Sequence, residues 1–202
     1  MRIFVGCSAS EDIPGKYRLD CNMLLEELFR RNNDLVFGAC NSGIMSDAYL
    51  SALAHNRGIV GICPEAYIHD FKDLKCTEEI ITKNVNERTD GLINESEVLL
   101  FLPGGFGSVY ELFTAIESKR CHEHDRNIII YNSKGFYDEL LSFVEKIYNE
   151  KFAKEYAIIK NKNFLKKFVR FLNFNSHIGE RGDKVTDFEK VYKEYFNDVY
   201  LY

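Results

Sequence analysis

The chain alternates short apolar runs with longer segments whose apolar residues recur every three or four positions. Residues 3–7, 35–37, 59–62, 79–81, 98–102 and 128–131 read as strands. Residues 17–31, 42–57, 86–96, the stretch after 107, and 136–149 read as helices, with Leu24, Leu25, Leu28 and Phe29 on the apolar face of the first. Strands joined by helices pair in parallel, because a parallel neighbour needs a crossover long enough to hold a helix. The expected fold is a single-domain α/β protein: a doubly wound, Rossmann-like parallel sheet with helices on both faces. Its 202 residues are enough for one sizeable core.

Ligands in open sheets of this kind sit beyond the carboxyl ends of the strands. Three glycine-bearing turns leave predicted strands there, at residues 6–10, 38–43 and 103–108. The last is the richest: Pro103-Gly104-Gly105-Phe106-Gly107-Ser108 separates the run Val98-Leu99-Leu100-Phe101-Leu102 from a helix bearing Leu112, Phe113, Ala115 and Ile116. Such a turn leaves backbone N–H groups free at the positive end of a helix dipole, a ready site for phosphate. Glu111 follows four residues after Gly107, so its carboxylate lies about one helical turn from that anion. Ser108 and Glu111 also fit S-x-x-E, a capping box, which explains these two residues but not the three glycines and the proline. The turn is neither the GxxxxGK[ST] of ATPases nor the opening fingerprint of a dinucleotide fold.

A net charge of −5 argues against a general nucleic-acid or membrane binder. No apolar stretch approaches a membrane span and the amino terminus has no leader pattern, so the default location is cytoplasmic. The six cysteines form no C-x-x-C pair and read as reduced and structural. Cys121-His122-Glu123-His124-Asp125 reads as a polar loop rather than a metal site. Towards the end, residues 157–159 read as a short strand. Phe164, Leu165, Phe168, Val169 and Leu172 share one face of a basic helix, and Phe188, Val191, Tyr192, Tyr195, Phe196 and Val199 form a second amphipathic stripe.

Pro103-Gly104-Gly105-Phe106-Gly107-Ser108-Val109-Tyr110-Glu111 resembles the PGGxGTxxE signature of the LOG (LONELY GUY) family, with Ser108 in place of threonine. Arg88, fifteen residues before Pro103, falls where the family's MxxRK motif places its arginine. His124-Asp125 and Gly135-Phe136-Tyr137-Asp138 resemble two further family segments, IHDKP and DGFYD. The similarity runs over residues 2–152. Thr89 departs from the family's lysine, and Ala39 and Cys40 replace two glycines of GGGSxGLMG. Family members are often labelled lysine decarboxylases, but that chemistry needs a lysine–pyridoxal phosphate Schiff base, and no Ser-x-His-Lys segment occurs here.

The resemblance implies hydrolysis of the N-glycosidic bond of nucleoside 5′-monophosphates by a homodimer, with pockets shared between subunits and no metal or organic cofactor. It assigns catalysis to Arg88 and Glu111. Gly104, Gly105, Phe106, Gly107 and Ser108 then hold phosphate and ribose, with Gly6, Ser8, Gly43 and Met45 as further pocket lining. An arginine near the start of a helix is disfavoured by about 0.3–1 kcal/mol, so Arg88 needs a partner, either this pocket or a surface pairing with Glu87 or Glu95. The expected organisation is a nucleotide-binding domain over 1–172 and an extension over 173–202. A non-catalytic nucleotide carrier or sensor on the same fold, and a deoxyribosyl transferase, are the competing readings.

Overall fold

The computed structural model describes residues 1–71, 73–153 and 169–172. Seven parallel strands form one sheet: β1 (Arg2–Gly6), β2 (Asp34–Phe37), β3 (Ile59–Pro64), β4 (Glu78–Thr82), β5 (Val98–Phe101), β6 (Asn127–Tyr131) and β7 (Val169–Leu172). Their spatial order is β4-β3-β2-β1-β5-β6-β7. Between them run α1 (Gly15–Arg30), α2 (Gly43–Ala54), α3 (Val85–Asn94), α4 (Phe106–Arg120) and α5 (Asp138–Asn149). The chain winds outward from β1 to β4, returns to pair β5 beside β1, and continues outward the other way, so the order reverses between β1 and β5.

Alternation along the strands builds two cores. Ile3, Val5, Leu35, Phe37, Val98 and Leu100 face α1 and α2 on one side of the sheet. Phe4, Val36, Leu99 and Phe101 face α3, α4 and α5 on the other. This is the period of two that puts successive side chains on opposite faces, and both faces are covered by helices. Helix α1 ends where Asn32 takes a left-handed φ of 63° and its amide bonds to Phe29 O, a helix stop that asparagine tolerates.

The sequence reading fails at one element. Val169 and Leu172, assigned by spacing to a helical face, lie in β7, paired in register with Ile128 to Tyr131. The run Val-Arg-Phe-Leu carries strand-forming residues, and the open edge of β6 overrides the local helical spacing. The strand read at 157–159, the rest of the basic segment and the 188–199 stripe lie outside the described residues. Among the described residues no helix is long and apolar enough to cross a membrane.

Candidate active site

The loops leaving β1, β2 and β5 meet at the point where the strand order reverses. Ser8 N donates to Pro103 O at 3.1 Å, and Met45 N donates to Ser8 O at 3.1 Å. The Ser42 hydroxyl donates to Ala9 O. A Cβ on Gly43, whose φ is +59°, would lie 2.5 Å from Ser10 O. Glycine is required there for the loops to touch, and the Gly43 amide is capped by Glu11 Oε1 at 3.1 Å. Gly6 packs against the Phe101 ring, 2.8 Å from where its Cβ would stand. Gly6 and Gly43 therefore serve packing between elements.

The turn after β5 has two kinds of glycine. Gly104 is buried, and a Cβ on it would strike Ser108 Oγ at 2.1 Å. At Gly105 and Gly107 a Cβ would meet nothing within 4 Å, and neither has positive φ. The protein's own packing does not need glycine at these two positions. What they leave is bare backbone at the start of α4, whose first N–H groups have no intrahelical acceptor.

The capping-box reading of this turn is not what forms. Gly105 is the N-cap of α4, and Ser108 lies inside the helix. The Ser108 hydroxyl donates to Cys7 O at 3.0 Å, fastening α4 to the end of β1. Glu111 is one turn further on the same face, buried, and accepts from Arg88 Nη2 at 2.9 Å.

Arg88 comes from α3, whose N-cap Asn84 accepts from Glu87 N. Glu87 bonds back to Lys83 N at 3.0 Å, so it serves the cap rather than Arg88. Tyr110 OH donates to Asn86 Oδ1 at 2.7 Å and holds α3 against α4. Arg88 Nη1 lies 3.6 Å from the Cβ position of Gly38, beside the Met45 sulfur. Its Nε is buried with no hydrogen-bond partner among the described residues. Buried donors are satisfied in more than roughly 90% of cases, so this one is a candidate contact for a ligand oxygen.

Burial pushes the Glu111 carboxyl up to about 7, against the opposing pull of the Arg88 charge and hydrogen bond. Such a group exchanges protons at neutral pH, the condition for general acid–base work.

Thr89, in place of the family's lysine, is buried and donates to Val85 O at 3.0 Å. Ala39, in place of a family glycine, holds a φ of +53°, which costs on the order of 1–2 kcal/mol for a residue with a Cβ.

Beside the turn lies a cavity of about 200 Å³ whose lining includes Ser8, Ile44, Gly104, Gly105, Tyr17 and Phe136. Of the predicted lining residues, Ser8 borders it, and Met45 and Arg88 both reach the Cβ side of Gly38. Tyr17 and Phe136 were not singled out as pocket residues, although Phe136 lies in the segment similar to DGFYD. His124, buried, pairs through Nε2 with Ala115 O at 2.9 Å. Among the described residues no cluster of three or more His, Cys, Asp or Glu is placed to hold a metal.

Fold and site define a doubly wound α/β protein with a buried arginine–glutamate pair and a glycine turn at its switch point. The chain belongs to the family described as "possible lysine decarboxylase", whose model matches residues 45–165, and which includes the LOG proteins. It is 30% identical over 154 residues to the cytokinin riboside 5′-monophosphate phosphoribohydrolase LOG3 of Arabidopsis thaliana, covering 75% of this chain and 71% of that protein. It is 28% identical over 152 residues to the probable cytokinin riboside 5′-monophosphate phosphoribohydrolase LOGL6 of Oryza sativa subsp. japonica, covering 75% of this chain. The chain spans 61% of that rice relative's length. A molybdenum cofactor binding protein from Rippkaea orientalis shares the fold, with a TM-score of 0.58 at 21% identity over 72% of this chain and 84% of that one.

Proposed function

We propose that this protein is an N-glycosidase that hydrolyses nucleoside 5′-monophosphates to free base and ribose 5-phosphate. The observation that carries the reading is the Arg88–Glu111 pair, buried at 2.9 Å, one turn along α4 from a turn whose Gly105 and Gly107 its own packing does not explain. The relatives' named activity points the same way.

In this mechanism the 5′-phosphate rests on the first amides of α4, where backbone donors and dipole favour an anion. Anchoring that end aligns the scissile bond and turns binding into orientation. The C1′–N bond breaks through an oxocarbenium-like sugar. Ionised Glu111 faces the developing positive charge and takes a proton from the water that attacks C1′; the departing base nitrogen takes a proton from solvent, and Glu111 gives its own back to solvent to close the cycle. Arg88 holds Glu111 in place and offers its remaining donors to phosphate or to the base's polar edge.

Pyridoxal phosphate, implied by the family's decarboxylase description, does not fit this site. The cavity lining holds no lysine, and Lys119, though buried, gives its ammonium to Asp125 O and Arg126 O.

The reading includes a homodimer and a cytoplasmic setting. Phe106 is 97% exposed at the start of α4, with exposed Tyr110 about one turn further along the same helix, an apolar face that a second copy would cover. The six cysteines are all free thiols, as a reducing compartment favours.

The test is a panel of purine and pyrimidine monophosphates with products resolved chromatographically, nucleosides lacking phosphate as controls, and Glu111→Gln alongside. Release of base from monophosphates by wild type alone supports the reading. Tight nucleotide binding without base release favours a carrier, and base exchange without net hydrolysis favours a transferase.

A further inference from the structure

We infer that Tyr110 is a positioning residue: its hydrogen bond to Asn86 closes the start of α3 onto α4 and keeps the Arg88–Glu111 pair together and dry. This rests on the hydrolase reading above and adds what holds its two reacting side chains in register.

Tyr110 immediately precedes Glu111 on α4, and Asn86 comes two positions before Arg88 on α3. Tyr110 OH donates to Asn86 Oδ1 at 2.7 Å, and Arg88 Nη2 donates to Glu111 Oε1 at 2.9 Å. Two bonds therefore cross side by side between the same two helices. The outer one joins exposed residues, whereas the side chains of the inner one are largely buried. Both Tyr110 and Asn86 stand at positions that PGGxGTxxE and MxxRK leave open, so the tie belongs to this chain and not to the motifs it resembles.

The first turn of α3 has little else to hold it against α4. The residues of α3 that enter the core, Thr89, Leu92 and Ile93, all follow Arg88, whereas Val85, Asn86 and Glu87 are exposed. The bonds of Asn84 and Glu87 run within the cap and do not reach α4. A helix end without buried apolar contacts is the part that opens most easily. The start of α4 is fastened instead, by the Ser108 hydroxyl on Cys7 O at 3.0 Å, and the helix goes on to bury Leu112 and Ala115. The Tyr110 bond ties the loosely anchored turn to the fastened helix, beside the residues that react.

What the tie protects is the burial of Glu111. Burial has the largest influence on this carboxyl, ahead of the Arg88 charge and hydrogen bond, and the balance stands at about 7. When the start of α3 lifts, water solvates the carboxylate and the carboxyl falls towards 4.5. Arg88 moves with α3 and loses part of its hold, which acts the other way and is the smaller influence. The Cys7 thiol, just after β1, and the Tyr137 phenol, after β6, also act on Glu111. Burial raises both, so they stay neutral near 7 and Arg88 remains the charge that faces it.

The test is a double-mutant cycle. Tyr110→Phe removes the hydroxyl and keeps the ring, Asn86→Ala removes the acceptor, and the two are also combined, with circular dichroism confirming each fold. Each single variant should bring the acid limb of kcat/KM for nucleoside monophosphates down from about 7. On the plateau each should lower kcat by about tenfold, within the roughly 10²-fold that a 1 Å misplacement costs, with KM close to wild type because the anion turn is untouched. The double variant should match the singles, since all three lack the same bond. A carbon-detected NMR titration of the Glu111 carboxyl, without substrate, should show the same fall. A folded Tyr110→Phe protein with an unmoved titration, or single effects that add in the double, would overturn the inference. If wild type releases no base, the hydrolase reading fails, and the NMR titration still decides whether the tie governs the pair.

Discussion

Arg88 Nη2 and Glu111 Oε1 are 2.9 Å apart, yet the carboxyl is raised rather than lowered, to about 7. A neighbouring cation alone would draw a glutamate below its ordinary value. Here burial outweighs it, so the pair is held at the balance point between ionised and neutral. The residues come from α3 and α4, the first two helices after the chain crosses to the far face of the sheet. Their meeting is therefore fixed by the winding of the fold.

The raised carboxyl has a consequence for stability. The unfolded chain loses this proton near its ordinary value and the folded chain only near 7, so folding retains a proton between those limits. Stability from this group is complete below about 4.5 and is lost as pH rises through about 7. Urea titrations of wild type and Glu111→Gln from pH 4 to 8 should show the variant gaining on wild type across that window, by on the order of 2–3 kcal/mol. A constant difference across the range would mean that Glu111 ionises normally.

Arg88 lowers the Glu111 carboxyl both by charge and by its hydrogen bond. Arg88→Gln should therefore move the acid limb of the kcat/KM profile upward from about 7 and reduce kcat by roughly 10²-fold, the scale of losing one preorganised electrostatic contact. Reduced activity with an unmoved limb would separate Arg88 from the ionisation of Glu111.

Gly107 offers a prediction with opposite signs for folding and binding. A Cβ there meets nothing, and the residue sits in the first turn of α4, so Gly107→Ala should stabilise the fold by about 0.5–1 kcal/mol. The added methyl crowds the bare amides, and ribose 5-phosphate should bind about tenfold more weakly, as when one hydrogen bond to a charged group is lost. Thermal unfolding and calorimetry on the same preparation read both effects. A more stable protein with unchanged affinity would remove the anion from this turn.

The sheet was legible because β1, β2, β3, β5 and β6 are compact apolar runs separated by helical spacing, and that pattern survives without tertiary information. The glycine turn was legible for the same reason, as a local break between a strand and a helix. Arg88 and Glu111 stand 23 positions apart, and only the resemblance linked them. Spacing alone offered Glu87 and Glu95 as equally good partners. The capping box that Ser108 and Glu111 also fitted could not be set aside from sequence, because the acceptor of the Ser108 hydroxyl, Cys7 O, is 101 residues away and visible only once β1 and β5 are neighbours. The Tyr17–Phe136 contact joins α1 to the turn after β6, and its only trace in the sequence was the segment similar to DGFYD that holds Phe136. β7 was missed because its strand character depends on the edge of β6.

Tyr137 shows how a residue outside the reacting pair can still govern it. Its hydroxyl donates to Leu102 O at 2.7 Å, with both residues buried, and Leu102 is the last residue before the glycine turn. Tyr137→Phe removes the donor and leaves a buried carbonyl without it, which should cost about 1–3 kcal/mol of stability. The turn then loses a fixed point at its entrance while Arg88 and Glu111 keep their own contacts. The expected kinetic signature is a raised KM for nucleoside monophosphates with kcat nearly unchanged, the pattern of weakened binding that is uniform between ground and transition states. Steady-state kinetics well below the unfolding temperature separate this from a simple loss of folded protein, which would lower kcat in proportion and leave KM alone. A fall in kcat at constant KM, with the folded fraction verified, would mean that Tyr137 acts on Glu111 rather than on the turn.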